Sequence, residues 1–216
     1  MWCIMRAMSA DIQVYTGGPC MCNGYLVKCA DSYVAVDAPL GFADWVAKKL
    51  PVGATLSDLL ITHQHFDHVQ GVAALVAATG CRVHACMNYS RELTLEDLAA
   101  RSWGSRFDVA PFRVDDVFGP ACCHAEWGGS RWNIHHIPGH SPDGVAYELS
   151  DTEDLFCGDI LFEGAVGRTD FPGGSMAALI RGIRDKLLPL PHTTTVHSGH
   201  GPATTIGEET LNNPYL

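Results

Sequence analysis

The stretch Thr62-His63-Gln64-His65-Phe66-Asp67-His68 places three imidazoles and a carboxylate within six positions. Neutral imidazole is the commonest protein metal ligand, and N/O donor sets of this kind suit zinc, iron or manganese. An apolar, strand-like run, Leu59-Leu60-Ile61, leads into the stretch. A helix-like run, Val72 to Ala78, follows it and ends at Gly80. The four side chains therefore fall on a strand-to-helix loop, where a rigid scaffold can hold reactive groups.

The 216 residues suffice for one substantial core and are short for two full domains, so a single domain over 1–216 is expected, with residues 1–10 as a loose extension. With 47% hydrophobic and 18% charged residues the chain belongs among globular proteins. Its 14 basic against 24 acidic residues give a formal net charge of −10, which argues against a nucleic-acid surface and against an anionic membrane surface. No apolar run reaches the roughly 20 residues that span a bilayer. The start, Met1 to Arg6, is too short and too soon interrupted for a signal peptide. The 9 cysteines are odd in number and form no C-x-x-C pair. Cys20/Cys22 and Cys122/Cys123 are spaced too tightly for a disulfide framework. Reduced, mostly buried thiols in a cytoplasmic protein are expected.

Along the chain, Ile12 to Tyr15, Gly24 to Cys29 and Ser32 to Asp37 read as strands of an antiparallel meander. A helix is predicted from Phe42 to Leu50, before Pro51. Leu59 to Thr62 is the strand that carries the histidine loop, and Cys81 to Ala85 is the next. Residues 88–120 are the least regular. Leu93 to Ala100 has helical character, but Trp103-Gly104-Ser105 and Ala110-Pro111 break it. The segment reads equally as a lid or as a surface connection. Strands are then predicted at Cys122–Trp127, Arg131–Ile137, Val145–Leu149 and Asp154–Cys157. A helix follows at Ser175–Leu188, a last strand at Thr193–Val196 and a short helix after Pro202. Strands followed by helix in each half imply two sheets sandwiched between helices.

Three further ligand-type side chains end strands beside glycine, where backbone approaches closely. His140 lies in Pro138-Gly139-His140-Ser141-Pro142, Asp159 follows Gly158, and His200 stands between Gly199 and Gly201. The ordered set H-x-H-x-D-H, H, D, H resembles that of the metallo-β-lactamase-fold hydrolases from about Ile12 onward. Gly167-Arg168-Thr169-Asp170-Phe171-Pro172-Gly173-Gly174, the run from Gly199 to Glu209, and Asn213-Pro214-Tyr215-Leu216 resemble the short glyoxalase II-like (hydroxyacylglutathione hydrolase-like) subfamily.

The resemblance implies an α/β fold, an αβ/βα four-layer sandwich of two mixed sheets flanked by helices. It implies two divalent metal ions, zinc first with iron or manganese as alternatives. His63, His65 and His140 would bind one, Asp67, His68 and His200 the other, and Asp159 would bridge them. The implied reaction is cleavage of a small-molecule thioester of hydroxyacylglutathione type by a hydroxide shared between the metals, with Asp67 and Asp159 orienting it. A thioester suits such a site because a thiolate leaves without a strong general acid. Full-length glyoxalase II enzymes carry a C-terminal helical domain that supplies basic residues for glutathione. This chain stops soon after His200, so that domain is expected to be absent. Arg168 would bind the substrate carboxylate, with an ion pair to Asp170 as the structural alternative.

The rival readings are an iron-dependent persulfide dioxygenase, which shares the fold and a similar Gly-Arg-Thr-Asp-Phe run, and a lactonase or other ester hydrolase. Pro172-Gly173-Gly174 favours the thioester hydrolase. His84, His135 and His136 read as structural, His124 and His192 as surface positions, and Cys157 as a small core residue. His197 reads as structural, with support of a metal ligand as its alternative.

Overall fold

Strands from the first half of the chain form one mixed sheet. A computed structural model describes residues 10–216, so the expected N-terminal extension lies, except for Ala10, outside the described residues. The strands β1 (Ile12–Gly17), β2 (Cys22–Lys28) and β3 (Tyr33–Val36) pair antiparallel, as the expected meander requires. Helix α1 (Phe42–Lys49) crosses over, so that β4 (Leu56–Leu60) joins β3 in parallel. The helices α2 (Phe66–Val69) and α3 (Val72–Thr79) make the next crossover, to β5 (Arg82–Ala85). Two more, α4 (Arg91–Thr94) and α5 (Glu96–Trp103), precede the edge strand β6 (Asp116–Val117).

The second half repeats the plan. An antiparallel meander runs through β7 (His124–Trp127), β8 (Ser130–His136), β9 (Val145–Leu149) and β10 (Asp154–Gly158). A small hairpin, β11 (Leu161–Phe162) with β12 (Ala165–Val166), stands apart. Helix α6 (Met176–Gly182) and a π-helical turn, Ile183–Leu187, lead to β13 (Thr195–Ser198), which lies parallel to β10. The chain closes with β14 (Thr204–Thr205) and α7 (Ile206–Asn212). The sheet orders are β1-β2-β3-β4-β5-β6 and β14-β13-β10-β9-β8-β7.

Alternation along the strands separates three apolar layers. On β2, Leu26 faces the helices with Phe42, Val46 and Leu75, while Tyr25 and Val27 face the other sheet. On β10, Phe156 joins Trp132 and Tyr147 between the sheets, while Leu155 and Cys157 face Leu179 and Ile183 of the second helical layer. The order helix, sheet, sheet, helix is the four-layer sandwich that the sequence implies. Among the described residues no helix is long and apolar enough to cross a membrane.

Several boundaries differ from the sequence reading. The helix expected over Leu93–Ala100 is two helices, because Leu95 adopts a left-handed φ of 54° between them. The Ser175–Leu188 helix passes into the π-helical turn after Gly182. The strand expected from Cys122 begins at His124, and the last long strand is shifted from Thr193–Val196 to Thr195–Ser198. Neither Leu95 nor the π-turn carries a local propensity signal; both are settled by packing.

Asp58 ties the two sheets together. It accepts hydrogen bonds from His84 Nε2 at 2.7 Å and from the Gly128 N–H, in the β7–β8 turn, at 3.1 Å. Burial alone would raise its pKa, but the bonds from His84, Ser57 and Gly128 outweigh it and hold the carboxyl below its ordinary value. A carboxylate depressed in the folded state stabilises the fold above its unfolded pKa, about 3.9. That contribution fades as pH falls through the folded value. Asp58→Asn should therefore cost roughly 1–3 kcal/mol at neutral pH and flatten the acid limb of the stability profile. Thermal melts of both proteins between neutral pH and strong acid check this.

Candidate metal centre

The β4-to-α2 turn, the β8–β9 turn and the ends of β10 and β13 meet at one edge of the sandwich. They bring together all seven ligand candidates. His63 Nε2 lies 3.1 Å from His65 Nδ1, and His140 Nε2 lies 2.9 Å from the same atom. Ligands about 2.0–2.1 Å from a tetrahedral zinc are roughly 3.3 Å apart, so the three nitrogens fit the edges of one coordination shell. His200 Nε2 lies 3.3 Å from Asp67 Oδ2 and 3.5 Å from Asp159 Oδ2, which is itself 3.5 Å from His140 Nε2. Asp159 therefore reaches both ligand groups, as a bridge must.

The donor set also carries the mark of a cation site. His68 Nε2 and Asp159 Oδ1 are buried, 3.3 Å apart, and have no hydrogen-bond partner. Two such atoms facing each other unsatisfied are costly without a partner, and a divalent ion supplies one. A side-chain carbon at Gly199 would collide with Asp159 Oδ1 and the His68 ring, so only glycine leaves this space open.

The imidazoles are oriented from behind. His140 Nδ1–H donates to the Arg168 carbonyl at 2.7 Å, and His200 Nδ1–H donates to the Cys20 carbonyl at 3.1 Å. His68 Nδ1–H donates to Asp37 Oδ2 at 2.7 Å. Each bond fixes the ring's orientation and turns its other nitrogen toward the ligand group. Burial opposes protonation of His68 and His200, yet the neighbouring carboxylates raise His68 well above its ordinary value and His200 to about 10, so a metal bound there would displace a proton from each. Burial and the neighbouring imidazoles push His63 well below, and His65 down to about 3, leaving both neutral as ligation requires. Burial opposes ionisation of Asp67 and Asp159, yet the surrounding histidines prevail and keep both carboxyls below the usual range.

Asp37 is the residue that sequence reasoning missed. It was legible only as the end of the β3 run. Its carboxylate accepts the Thr62 N–H at 2.8 Å, the Thr62 hydroxyl at 2.7 Å and His68 Nδ1–H, so it clamps both ends of the histidine loop. Buried Asp143 does related work: it accepts the Gln64 N–H at 3.1 Å and the Ser141 hydroxyl, joining the His140 turn to the histidine loop. Both contacts span long sequence separations and leave no local pattern.

The ligands open on a cavity of about 260 Å³. His65, Asp67, His140, Asp159 and His200 face it, and Phe66, Leu98, Trp103 and Phe171 form an apolar wall. Residues 88–120 thus contribute part of that wall through α5. The Arg168 guanidinium stands at the rim. It is held by Asp170 in a two-pronged ion pair at 2.6 and 2.7 Å, and it lies over the Phe171 ring. The structural alternative for Arg168 is therefore present, while the side chain still faces the cavity. His197 pairs with Asp154 at 2.8 Å and stacks on Phe156, away from the ligands. His84 is buried between Asp58 and Asp116, His135 pairs with Glu148, and His124 and His192 are exposed.

Fold and donor set together describe an αβ/βα sandwich whose edge gathers His/Asp groups able to hold divalent metal ions. Residues 17–200 match the model of the metallo-beta-lactamase superfamily, and the chain belongs to that superfamily. It is 34% identical to the hydroxyacylglutathione hydrolase GloC of Haemophilus influenzae, over 90% of this chain and 92% of that one. It is similar to the crystal structure of BLEG-1 B3 metallo-beta-lactamase, with a TM-score of 0.83 and 33% identity over 95% of this chain and 99% of that one. It is similar also to TTHA1623 in a di-iron-bound form, with a TM-score of 0.80 and 37% identity over 94% and 100% of the two chains.

Asp37→Ala should strand two buried donors and one ligand histidine. It is expected to cost roughly 3–5 kcal/mol of stability and to weaken metal binding by about 10–100-fold. Asp37→Asn should recover part of the stability and little of the affinity, because its amide presents a donor to His68 Nδ1–H. Thermal melts with zinc titration calorimetry check both.

Proposed function

We propose that the protein is a dinuclear metal-dependent hydrolase that cleaves thioesters of the hydroxyacylglutathione type. The observation that carries this reading is the convergence of seven ligand candidates at one edge of the sandwich, five of which, His65, Asp67, His140, Asp159 and His200, line an apolar-walled cavity. The likeness to GloC over nearly the whole chain supports the thioester class. Bound divalent ions supply Lewis acidity and a water acidic enough to act as nucleophile at neutral pH. Zinc suits the N/O donors, and the di-iron form of TTHA1623 supports iron as the alternative.

The chain's own groups do the rest. Asp67 and Asp159, held anionic, accept hydrogen bonds from the attacking water and orient it toward a carbonyl carbon. Phe66, Leu98, Trp103 and Phe171 seat the apolar part of the substrate and exclude solvent. The leaving thiolate needs no protonation to depart, so the site can work without a general acid. Arg168 at the rim meets a substrate carboxylate, sharing its guanidinium with Asp170. Every cysteine among the described residues is free, which supports a reducing, cytoplasmic setting.

The metal-loaded protein should hydrolyse a glutathione thioester with no uptake of oxygen. Oxygen consumption with glutathione persulfide and no thioester cleavage would favour the dioxygenase instead. Asp159→Asn should lower kcat by at least about 100-fold while circular dichroism stays unchanged.

Arg168→Ala should lower kcat/KM by about 10- to 150-fold for a thioester that carries the carboxylate, and much less for one that lacks it. Asp170→Asn, which frees the guanidinium, should lower KM for the first substrate only. Equal effects on both substrates would assign the pair to structure alone.

A further inference from the structure

The buried side of the second ligand group holds a donor that the sequence reading placed only among the buried thiols. One ligand atom from each of Cys22, Asp67, His68 and His200 lies within 4.8 Å of all the others. Cys22 is fully buried at the start of β2 and does not face the cavity, whereas Asp67 and His200 do. Within the same group, His68 Nε2 is buried and without a partner. The thiol therefore stands on the closed side of an incomplete polar shell whose open side faces the substrate.

The placement of Cys22 is built into the fold. The Asn23 N–H donates to the Gly199 carbonyl at 2.8 Å, and the Asn23 amide donates to the Ser198 and Gly201 carbonyls at 3.1 and 3.0 Å. The Cys20 carbonyl holds His200 from the other side of Cys22. Segment 20–23 and the His200 turn are thus stitched into one unit. The Cys22 thiol donates a long bond, 3.6 Å, to the Asn23 carbonyl, whereas Cys157 donates to the Leu161 carbonyl at 3.2 Å and Cys20 lines the cavity wall.

We propose that Cys22 is a protein ligand of the second metal, completing with Asp67, His68, His200 and the bridging Asp159 a shell that includes sulfur. The inference rests on the two-metal reading above. On binding, an S–metal bond replaces the S–H bond and one proton passes to solvent. A thiolate donor is soft, so it favours zinc over manganese at this position.

The test is replacement of the native metals by two equivalents of cobalt(II) in the full-length protein. Wild type and Cys20→Ser should show a near-ultraviolet sulfur-to-cobalt charge-transfer band, and Cys22→Ser should lack it. The second cobalt should then bind at least about 10–100-fold more weakly, no less than the loss from removing an outer-shell partner. X-ray absorption of the wild-type zinc protein gives an answer that needs no variant: a sulfur shell at about 2.3 Å is expected. Two bound ions with no sulfur signature, or a signature lost in Cys20→Ser and kept in Cys22→Ser, would overturn the assignment alone. Failure of a second ion to bind would overturn it together with the two-metal reading. A sulfur band in a protein that cleaves no thioester would leave the ligand in place and sink only the hydrolase reading.

Discussion

The Asp37 carboxylate accepts three hydrogen bonds in the protein interior, and through them the end of one strand governs the geometry of the whole centre. It meets the backbone and hydroxyl of Thr62, where β4 ends, and His68, which the α2 turn carries. Its backbone has a left-handed φ of 55°, which turns the chain out of β3 and the side chain toward the histidine loop. A buried carboxylate is costly unless its acceptor sites are filled. Here each filled site also orients a part of the ligand loop, so the same bonds serve stability and placement.

The layered architecture explains why ligands so far apart in sequence converge. Parallel neighbours β3–β4 and β10–β13 both end at the same edge: β4 leads into the histidine loop, β10 and β13 are followed by Asp159 and His200, and β3 is followed by the clamp Asp37. The inter-sheet layer around Trp132, Tyr147 and Phe156 fixes the two edges relative to each other. The Tyr147 hydroxyl donates to the Ile61 carbonyl at 2.7 Å, one residue before the histidine loop begins. Asp143 and Asn23 then cross-link the turns themselves. Misplacement of any one turn would separate donors that now lie within about 3–3.5 Å of their neighbours.

The ligand candidates and the layer order were legible in the sequence because each leaves a local trace. Histidines crowd one loop, glycines flank the later ligand candidates, and short apolar runs bounded by turn residues mark the strands. The clamp at Asp37 and the nearness of Cys22 to His68 were not legible, since both arise where segments remote in sequence meet. Leu95 and the π-turn at Ile183–Leu187 escaped for a related reason: tertiary packing overrides what helical spacing alone suggests. Arg168 was read either as a carboxylate binder or as the ion-pair partner of Asp170, two residues on; the pair is present, and the same side chain also stands at the cavity rim.

The proposed centre holds two metal ions at this edge, one among His63, His65 and His140 and one among Asp67, His68 and His200, with Asp159 between them. Anomalous diffraction from crystals of the metal-loaded protein, recorded above the absorption edge of the metal present, tests it directly. Two peaks are expected, about 3.5–4 Å apart, each within bonding distance of its own ligand group and both touching Asp159. A single peak at full loading, or peaks centred away from these side chains, would contradict it.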